Sequence, residues 1–331
     1  MYRPVKALWI ERLNGVPTSL TGIPQKYHEH IIRFAKVYYY SDEDCDILCQ
    51  QLELFGFRIW IHRIFAKKDI YLSPRTPRHI YVAHIMLGDS VTAVLQPDGT
   101  PFELREEEGN LFSLLAEAQL APVNAGQQFI SFHVNVFPED LPGIVRRYPA
   151  LRPLLDRPVP EQSGPLNFEP FRLNAVCEFL RREVEKCKYI EIQAKYFLTK
   201  VGADLFSNFL QQDISAADAV IVPDLSVEKV IRKCFRIILE EFHLPLSIRK
   251  LAFRLGLPRI TLQEAFKSAY GITVPDFLHM VRMIRAFQLM AESDFYSERI
   301  AVETGFSDVQ VFYKAFRDYY GIGFLELRNA Q

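Results

Sequence analysis

The sequence predicts an α+β chain: an N-terminal antiparallel β-barrel with a helical hairpin, then an all-α C-terminal domain with two helix-turn-helix units. Three observations point there. Apolar residues alternate with period two between about residues 56 and 136, and they recur with helical period after about residue 171. A single stretch of the helical region occurs twice, since "EAFKSAYGI" at 264–272 returns as "KAFRDYYGI" at 314–322.

Composition bounds what these elements can build. A chain of 331 residues, 49% hydrophobic and 24% charged, has the apolar content for packed cores and too little charge for a disordered protein. Its length favours two domains over one. The net charge of -1 gives the whole chain no pull toward a polyanion, and leaves room for a local basic surface. The opening "MYRPVKALWIERLNG" lacks the apolar stretch of a secretory signal, and no later segment approaches the roughly eighteen uninterrupted apolar residues of a membrane span. A cytoplasmic protein with no membrane partner is expected. Cys45, Cys49, Cys177, Cys187 and Cys234 form no C-x-x-C pair and are odd in number, which signals neither a disulfide framework nor a zinc site but reduced, packed thiols.

Toward the N-terminus, "FRIWIHRIF", "DIYL", "IYVAHIML", "SVTAVLQ", "GNLFSLLAE" and "QQFISFHVNV" are short, alternating and separated by "SPRTPR", "QPDGTP" and "NAG". Such runs pair as antiparallel strands and close into a small barrel or sandwich. "PDGT" at 97–100 is the clearest hairpin, because Asp98-Gly99 takes the positive φ of a tight turn. Phe57, Trp60, Phe65, Tyr71, Tyr81, Phe102, Phe112, Phe129 and Phe132 are mostly core, and a barrel of this kind can also hold an apolar ligand against aromatic walls.

After the proline-rich "YPALRPLLDRPVPEQSGP", Leu173, Val176, Leu180 and Val184 share one helical stripe, and Ala194, Leu198, Val201, Leu205 and Phe209 share another, over about 171–210. "QQDISAADAVIVPDLS" at 211–226 follows neither period. This places one domain at 1–210, a linker at 211–224 and a second domain at 225–331. Residues 225–331 carry 15 Lys and Arg against 12 Asp and Glu, a net of +3, the sign suited to meeting an anion.

In register, "LAFRLGL" at 251–257 matches "IAVETGF" at 300–306 with an offset of 49, whereas Phe266 matches Phe316 with an offset of 50. One residue is therefore added between the Gly and the Phe. Each copy reads as a short helix, a turn at Gly256 or Gly305, a second helix, and a stop at Gly271 or Gly321. Leu262 and Phe266, or Phe312 and Phe316, stand four apart and share a buried face. The opposite face carries Ile260, Gln263, Glu264 and Lys267 in the first copy and Gln310, Tyr313, Lys314 and Arg317 in the second. A glycine turn followed by a helix with a polar outer face is the arrangement that enters the DNA major groove. Gln can bridge adenine N6 and N7, and Lys can reach guanine or a phosphate. Between the copies, "VPDFLHMVRMIRAFQLMAES" spaces Phe277, Val281, Ile284, Leu289 and Met290 as one continuous helical rod.

These residues carry a resemblance. "SIRKLAFRLGL", "LQEAFKSAYGITVPDFLHMVRMIRAFQLM", "ERIAVETGFSDVQVFYKAFRDYYGI" and "LELR" resemble the C-terminal DNA-binding domain of the AraC/XylS family of transcriptional regulators over about a hundred residues, with Arg282, Ala286, Ile300-Ala301, Gly305-Phe306, Phe312, Phe316 and Arg328 in the family's places. The resemblance implies seven helices and two units joined by a linker helix on adjacent major-groove faces. Base reading would fall to Ile260, Gln263 and Glu264, and to Gln310, Tyr313 and Lys314. Pro258 stands where the family often has a small N-cap, Glu264 where it has a basic or polar residue, and Phe324 where it has proline. The front 224 residues resemble, in architecture, the sensor halves attached to this domain. The implied protein is a sequence-specific regulator in the bacterial nucleoid, binding double-stranded DNA and a small-molecule effector as a homodimer, with RNA polymerase as a further partner. Activation against repression stays open.

The rival expectation is a cupin-like barrel acting as a metal or small-molecule enzyme, with the helical region targeting it. It needs histidines and a carboxylate converging inside the barrel. His28 and His30 in "HEH" lack further ligands at metal spacing, while His62, His79, His84 and His133 lie on or beside strands without a spacing that settles which way they face. Glu106, Glu107 and Glu108 read as a solvated turn. No catalytic arrangement, cofactor or metal is named by the sequence.

Overall fold

Period-two runs become strands wherever alternate residues can be buried. They are β1 (Trp9–Ile10), β2 (Lys36–Ser41), β3 (Cys45–Glu53), β4 (Phe57–Ala66), β5 (Ile70–Leu72), β6 (Pro74–Arg75), β7 (Ile80–Met86), β8 (Val91–Leu95), β9 (Thr100–Leu104), β10 (Glu108–Leu114), β11 (Ala121–Val123), β12 (Gln128–Val136), β13 (Gly164–Pro165) and β14 (Phe171–Arg172). The structure is a computed structural model and describes residues 9–10, 12, 16–95, 100–116, 119–158, 161–167, 169–217 and 225–330. One eight-stranded sheet runs in the order β13-β10-β7-β12-β4-β3-β2, with β14 also paired to β10.

The closed barrel expected from the sequence does not form. Strands β1 and β6, β5 and β11, and β8 and β9 pair off as separate two-stranded sheets. Pro74 in β6, Pro101 in β9 and Pro122 in β11 each lack the N–H that a continuing ladder needs. A single isolated bridge, Val94 to Leu120, links the β8–β9 pair to its neighbour. The pairing of β8 with β9 is that of a hairpin, while its turn at 96–99 lies outside the described residues.

Strands β2 and β3 lie upstream of the expected range. Polar residues at buried positions hid them: Gln50 accepts from the Ile32 backbone at 2.7 Å and donates to the His30 carbonyl at 2.8 Å, and Tyr38 donates to Gln51 at 3.1 Å. Each buried amide is thereby satisfied.

One face of the sheet is covered by helix. After α1 (Leu141–Arg147) and α2 (Arg152–Leu155) come α3 (Ala175–Glu185) and α4 (Glu191–Ala217). Asn174 caps α3 by accepting from the Val176 and Cys177 amides, and its side chain also donates to Asn208 at 2.9 Å. Gly202 lies against Ile59 and Val134, and Phe209 meets Phe171 edge-on at 4.8 Å. Val176, Leu180 and Val184 are buried as the stripe requires, as are Ala194, Leu198, Val201, Leu205 and Phe209; Leu173 precedes α3. Helix α4 continues to Ala217, so the aperiodic stretch begins within a helix.

The chain divides into two compact units: Met1–Ile190 with Val201–Leu210, and Glu191–Lys200 with Gln211–Gln331. From residue 225 the second unit holds α5 (Leu225–Glu241), α6 (Ile248–Leu255), α7 (Arg259–Tyr270), α8 (Val274–Glu292), α9 (Ser297–Glu303), α10 (Val309–Tyr320) and α11 (Phe324–Asn329), the seven helices that the resemblance implies. Helix α8 is the continuous rod, started by Thr273 accepting from the Asp276 amide, with Phe277, Val281, Ile284 and Met290 buried. All five cysteines are buried. No helix among the described residues is long and apolar enough to cross a membrane.

Candidate nucleic-acid interface

The repeat seen in the sequence is a repeat in backbone geometry. Helix α6 ends at Gly256 with φ +69°, and the turn after α9 passes through Gly305 with φ +81°. The Leu257 amide donates to the Ala252 carbonyl at 3.1 Å, and the Phe306 amide donates to Ala301 at 2.8 Å. Helices α7 and α10 both stop at left-handed glycines, Gly271 and Gly321. The added residue lies in the second turn. There Asp308 caps α10, accepting from the Gln310 and Val311 amides at 2.7 and 2.9 Å, whereas α7 starts after Pro258 with no side-chain cap.

Each second helix divides into two faces. Leu262, Phe266 and Tyr270 of α7 are buried, as are Phe312, Phe316 and Tyr320 of α10. Gln263, Glu264, Lys267, Gln310, Lys314 and Arg317 are exposed, and Ile260 is 68% exposed. Tyr313 differs from its neighbours. It is half-buried, its hydroxyl donates to Ser297 at 2.6 Å, and its ring lies 5.9 Å from that of Phe324. Arg259, the first residue of α7, is exposed on the same helix and was not singled out by the sequence; its signal was its place at the start of the second helix of the unit.

Phe324, where the family has proline, begins α11 and fills the core beneath α10, 5.1 Å from Phe312 and 5.2 Å from Phe316. Arg282 of α8 ties the two units together. It donates to the Phe242 carbonyl at 2.8 Å and the Leu244 carbonyl at 2.9 Å, and its guanidinium underlies the turn at Gly305. Arg328 donates to the Phe295 carbonyl at 2.7 Å.

The turn glycines make a graded prediction. A β-carbon at Gly305 would stand 2.7 Å from Arg282 Nη2, while one at Gly256 meets nothing within 4 Å. Both substitutions to alanine carry the left-handed penalty of about 1–2 kcal/mol. Gly305→Ala also displaces charged hydrogen bonds worth roughly 1.5–3 kcal/mol. Urea unfolding should therefore place Gly305→Ala well below Gly256→Ala; equal losses would show that the guanidinium moves aside without cost.

The histidines separate into groups. His28 bonds to the Ile23 carbonyl at 2.9 Å, His30 lies 3.6 Å from Glu29, and His79 bonds to Ser113 at 2.7 Å. His62, His84 and His133 come together on one face of the sheet, with ring centroids 5.1 Å apart for His62 and His133 and 4.3 Å for His84 and His133. Among the described residues no group of three or more His, Cys, Asp or Glu side chains is arranged to hold a metal ion.

Residues 251–330 match a family described as a helix-turn-helix domain. The Msm operon regulatory protein of Streptococcus mutans is 27% identical over 96 residues, covering 29% of this chain and about a third, 34%, of that protein. The C-terminal domain of the two-component response regulator yesN from Fusobacterium nucleatum is 29% identical, covering 31% of this chain and 97% of that one, with a TM-score of 0.29. ToxT from Vibrio cholerae is 13% identical, covering 81% and 96%, with a TM-score of 0.32. Two glycine-turn units, the α8 rod between them and the family match agree: the C-terminal region of this chain is a helix-turn-helix domain.

Proposed function

We propose that the chain is a sequence-specific transcriptional regulator. Residues 225–331 bind double-stranded DNA, with Ile260, Gln263, Glu264 and Lys267 of α7 and Gln310, Tyr313, Lys314 and Arg317 of α10 facing the duplex. Residues 1–210 sense a small molecule and pair two copies of the chain, the linker at 211–224 couples the two domains, and RNA polymerase is the downstream partner. The observation that carries this reading is the matched division of α7 and α10, each with a buried apolar stripe and an exposed polar one. A helix built this way offers base-reading groups without spending its core. Held by Ser297, Tyr313 is fixed in position, which suits packing against a sugar or base more than searching for one.

The test is selection from random duplex DNA with the full chain at moderate salt. Two enriched blocks about one helical turn apart are expected. An unenriched pool, bound only through salt-sensitive backbone contact, would overturn base reading. Gln310→Ala should lose about 1–3 kcal/mol of discrimination at one base pair with its urea midpoint unchanged. Removing Lys314 and Arg317 together should lower the slope of log affinity against log salt by about 2.

A further inference from the structure

On the face of the sheet away from α4, a cavity of about 100 Å³ lies between β4, β7, β10 and β12 on one side and the β8–β9 hairpin on the other. Its wall is almost wholly apolar, with Phe102, Phe112 and Phe129 prominent, and His62, His84 and His133 set into it. Register explains the trio. Ser131 is opposite His62 and His133 is opposite His84, so alternate residues of β12 bring all three rings to one face.

Among the described residues, three ring nitrogens there lack a hydrogen-bond partner: Nε2 of His62, Nε2 of His84 and Nδ1 of His133. His62 and His133 are 2% and 3% exposed. His84 shows more surface, because some of its ring is cavity wall. Buried polar atoms without partners are costly, and a set of them facing one space points to a group that completes them. The Ser131 hydroxyl connects two of the rings, 2.8 Å from His133 Nε2 and 3.4 Å from His62 Nδ1. A hydroxyl that donates to one ring accepts from the other. Whichever of the two rings receives its proton, one of the two unpartnered nitrogens of His62 and His133 is then a donor and the other an acceptor. The group that satisfies both is itself donor and acceptor, as a hydroxyl is.

Charge and size narrow the class further. Among the described residues the lining contains no Asp, Glu, Lys or Arg, so an ionised ligand would be buried there without a counter-charge. An engineered cavity of about 150 Å³ holds benzene, so the space here suits one small ring or a chain of similar bulk.

We propose that this cavity is a binding site for a small, uncharged molecule with an apolar body and a hydroxyl head, held by His62, His84 and His133. The inference rests on the reading of residues 1–210 as a sensor and names the chemistry sensed.

Phenol is the probe, with benzene and benzoate as controls, each titrated into the full chain at pH 7.5 by calorimetry. Phenol should bind roughly tenfold or more tightly than benzene, as one completed hydrogen bond requires, and benzoate should not bind measurably. His84→Phe and His62→Phe, made separately and checked for folding by Trp60 fluorescence, should each shrink the preference for phenol. Equal binding of phenol and benzene would overturn recognition by the imidazoles, as would absence of phenol binding to the folded chain. Stoichiometric Zn²⁺ binding that is lost in His84→Phe would replace the proposal with a metal site. The sensor reading is tested apart from this: phenol that binds as described yet leaves affinity for the selected DNA unchanged would refute sensing while leaving the site in place.

Discussion

Phe316→Ala should destabilise the helical unit by about 3–5 kcal/mol, the range for removing a buried phenylalanine. The side chain is fully buried in α10, with ring centroids 4.8 Å from Tyr320, 5.2 Å from Phe324, 6.1 Å from Phe312 and 6.3 Å from Phe287. These partners come from α8, α10 and α11, so no single movement closes the space left behind. Tyr320, moreover, donates to the Met283 carbonyl of α8 at 3.1 Å, which limits its collapse into the void. Lys314→Ala, two residues away on the exposed face, should stay within about 0.5 kcal/mol. Urea unfolding followed by far-ultraviolet circular dichroism measures both. A loss below about 1 kcal/mol for Phe316→Ala would mean that the aromatic cluster repacks, and the division of α10 into a structural face and an exposed polar one would fail with it.

Acid should weaken the sheet unit over a defined window. Burial pushes the His62 and His84 imidazoles down to about 3, and His133 well below its ordinary value, with the neighbouring rings adding to the effect. Folded, these groups stay neutral where an unfolded chain, with ordinary values near 6.5, binds protons. Stability is therefore complete above about pH 6.5 and falls as pH drops below it, the share due to His62 and His84 being fully lost near pH 3. For His62 alone the loss at pH 5 is about 2 kcal/mol, and the other two act in the same direction. Both tryptophans, Trp9 and Trp60, belong to this unit, so fluorescence during urea unfolding at pH 7.5 and pH 5 reports it selectively. His62→Phe should reduce the dependence by about one proton. A midpoint indifferent to pH between 7 and 5 would contradict buried neutral imidazoles and remove support from the cavity's chemistry.

The helical region was more legible than the sheet, for physical reasons. Period 3.6, glycine at left-handed positions and a duplicated motif are local signals, and Gly256, Gly271 and Gly321 occupy the conformations their spacing announced. Closure of a barrel is not local. It depends on which strand edges meet, and three prolines in short strands decided that against the expectation. The histidine trio was invisible for a related reason. His62, His84 and His133 are scattered in sequence, and only the register of β4, β7 and β12 places them side by side. Tyr313 shows the limit at a single residue: its spacing put it on the outer face, but no spacing announced the hydroxyl bond to Ser297.

The clean separation of faces in α7 and α10 also bears on how such a protein diversifies. Tyr313 apart, the residues that hold each helix in place and those proposed to meet the duplex do not overlap, so on that proposal target preference can drift by substitution at Gln263, Glu264, Gln310 or Lys314 with little burden on folding. On the proposed reading two copies double this freedom, since one helix can hold its target while the other varies. Such modularity lets a lineage acquire new target sequences through many small, individually tolerated steps.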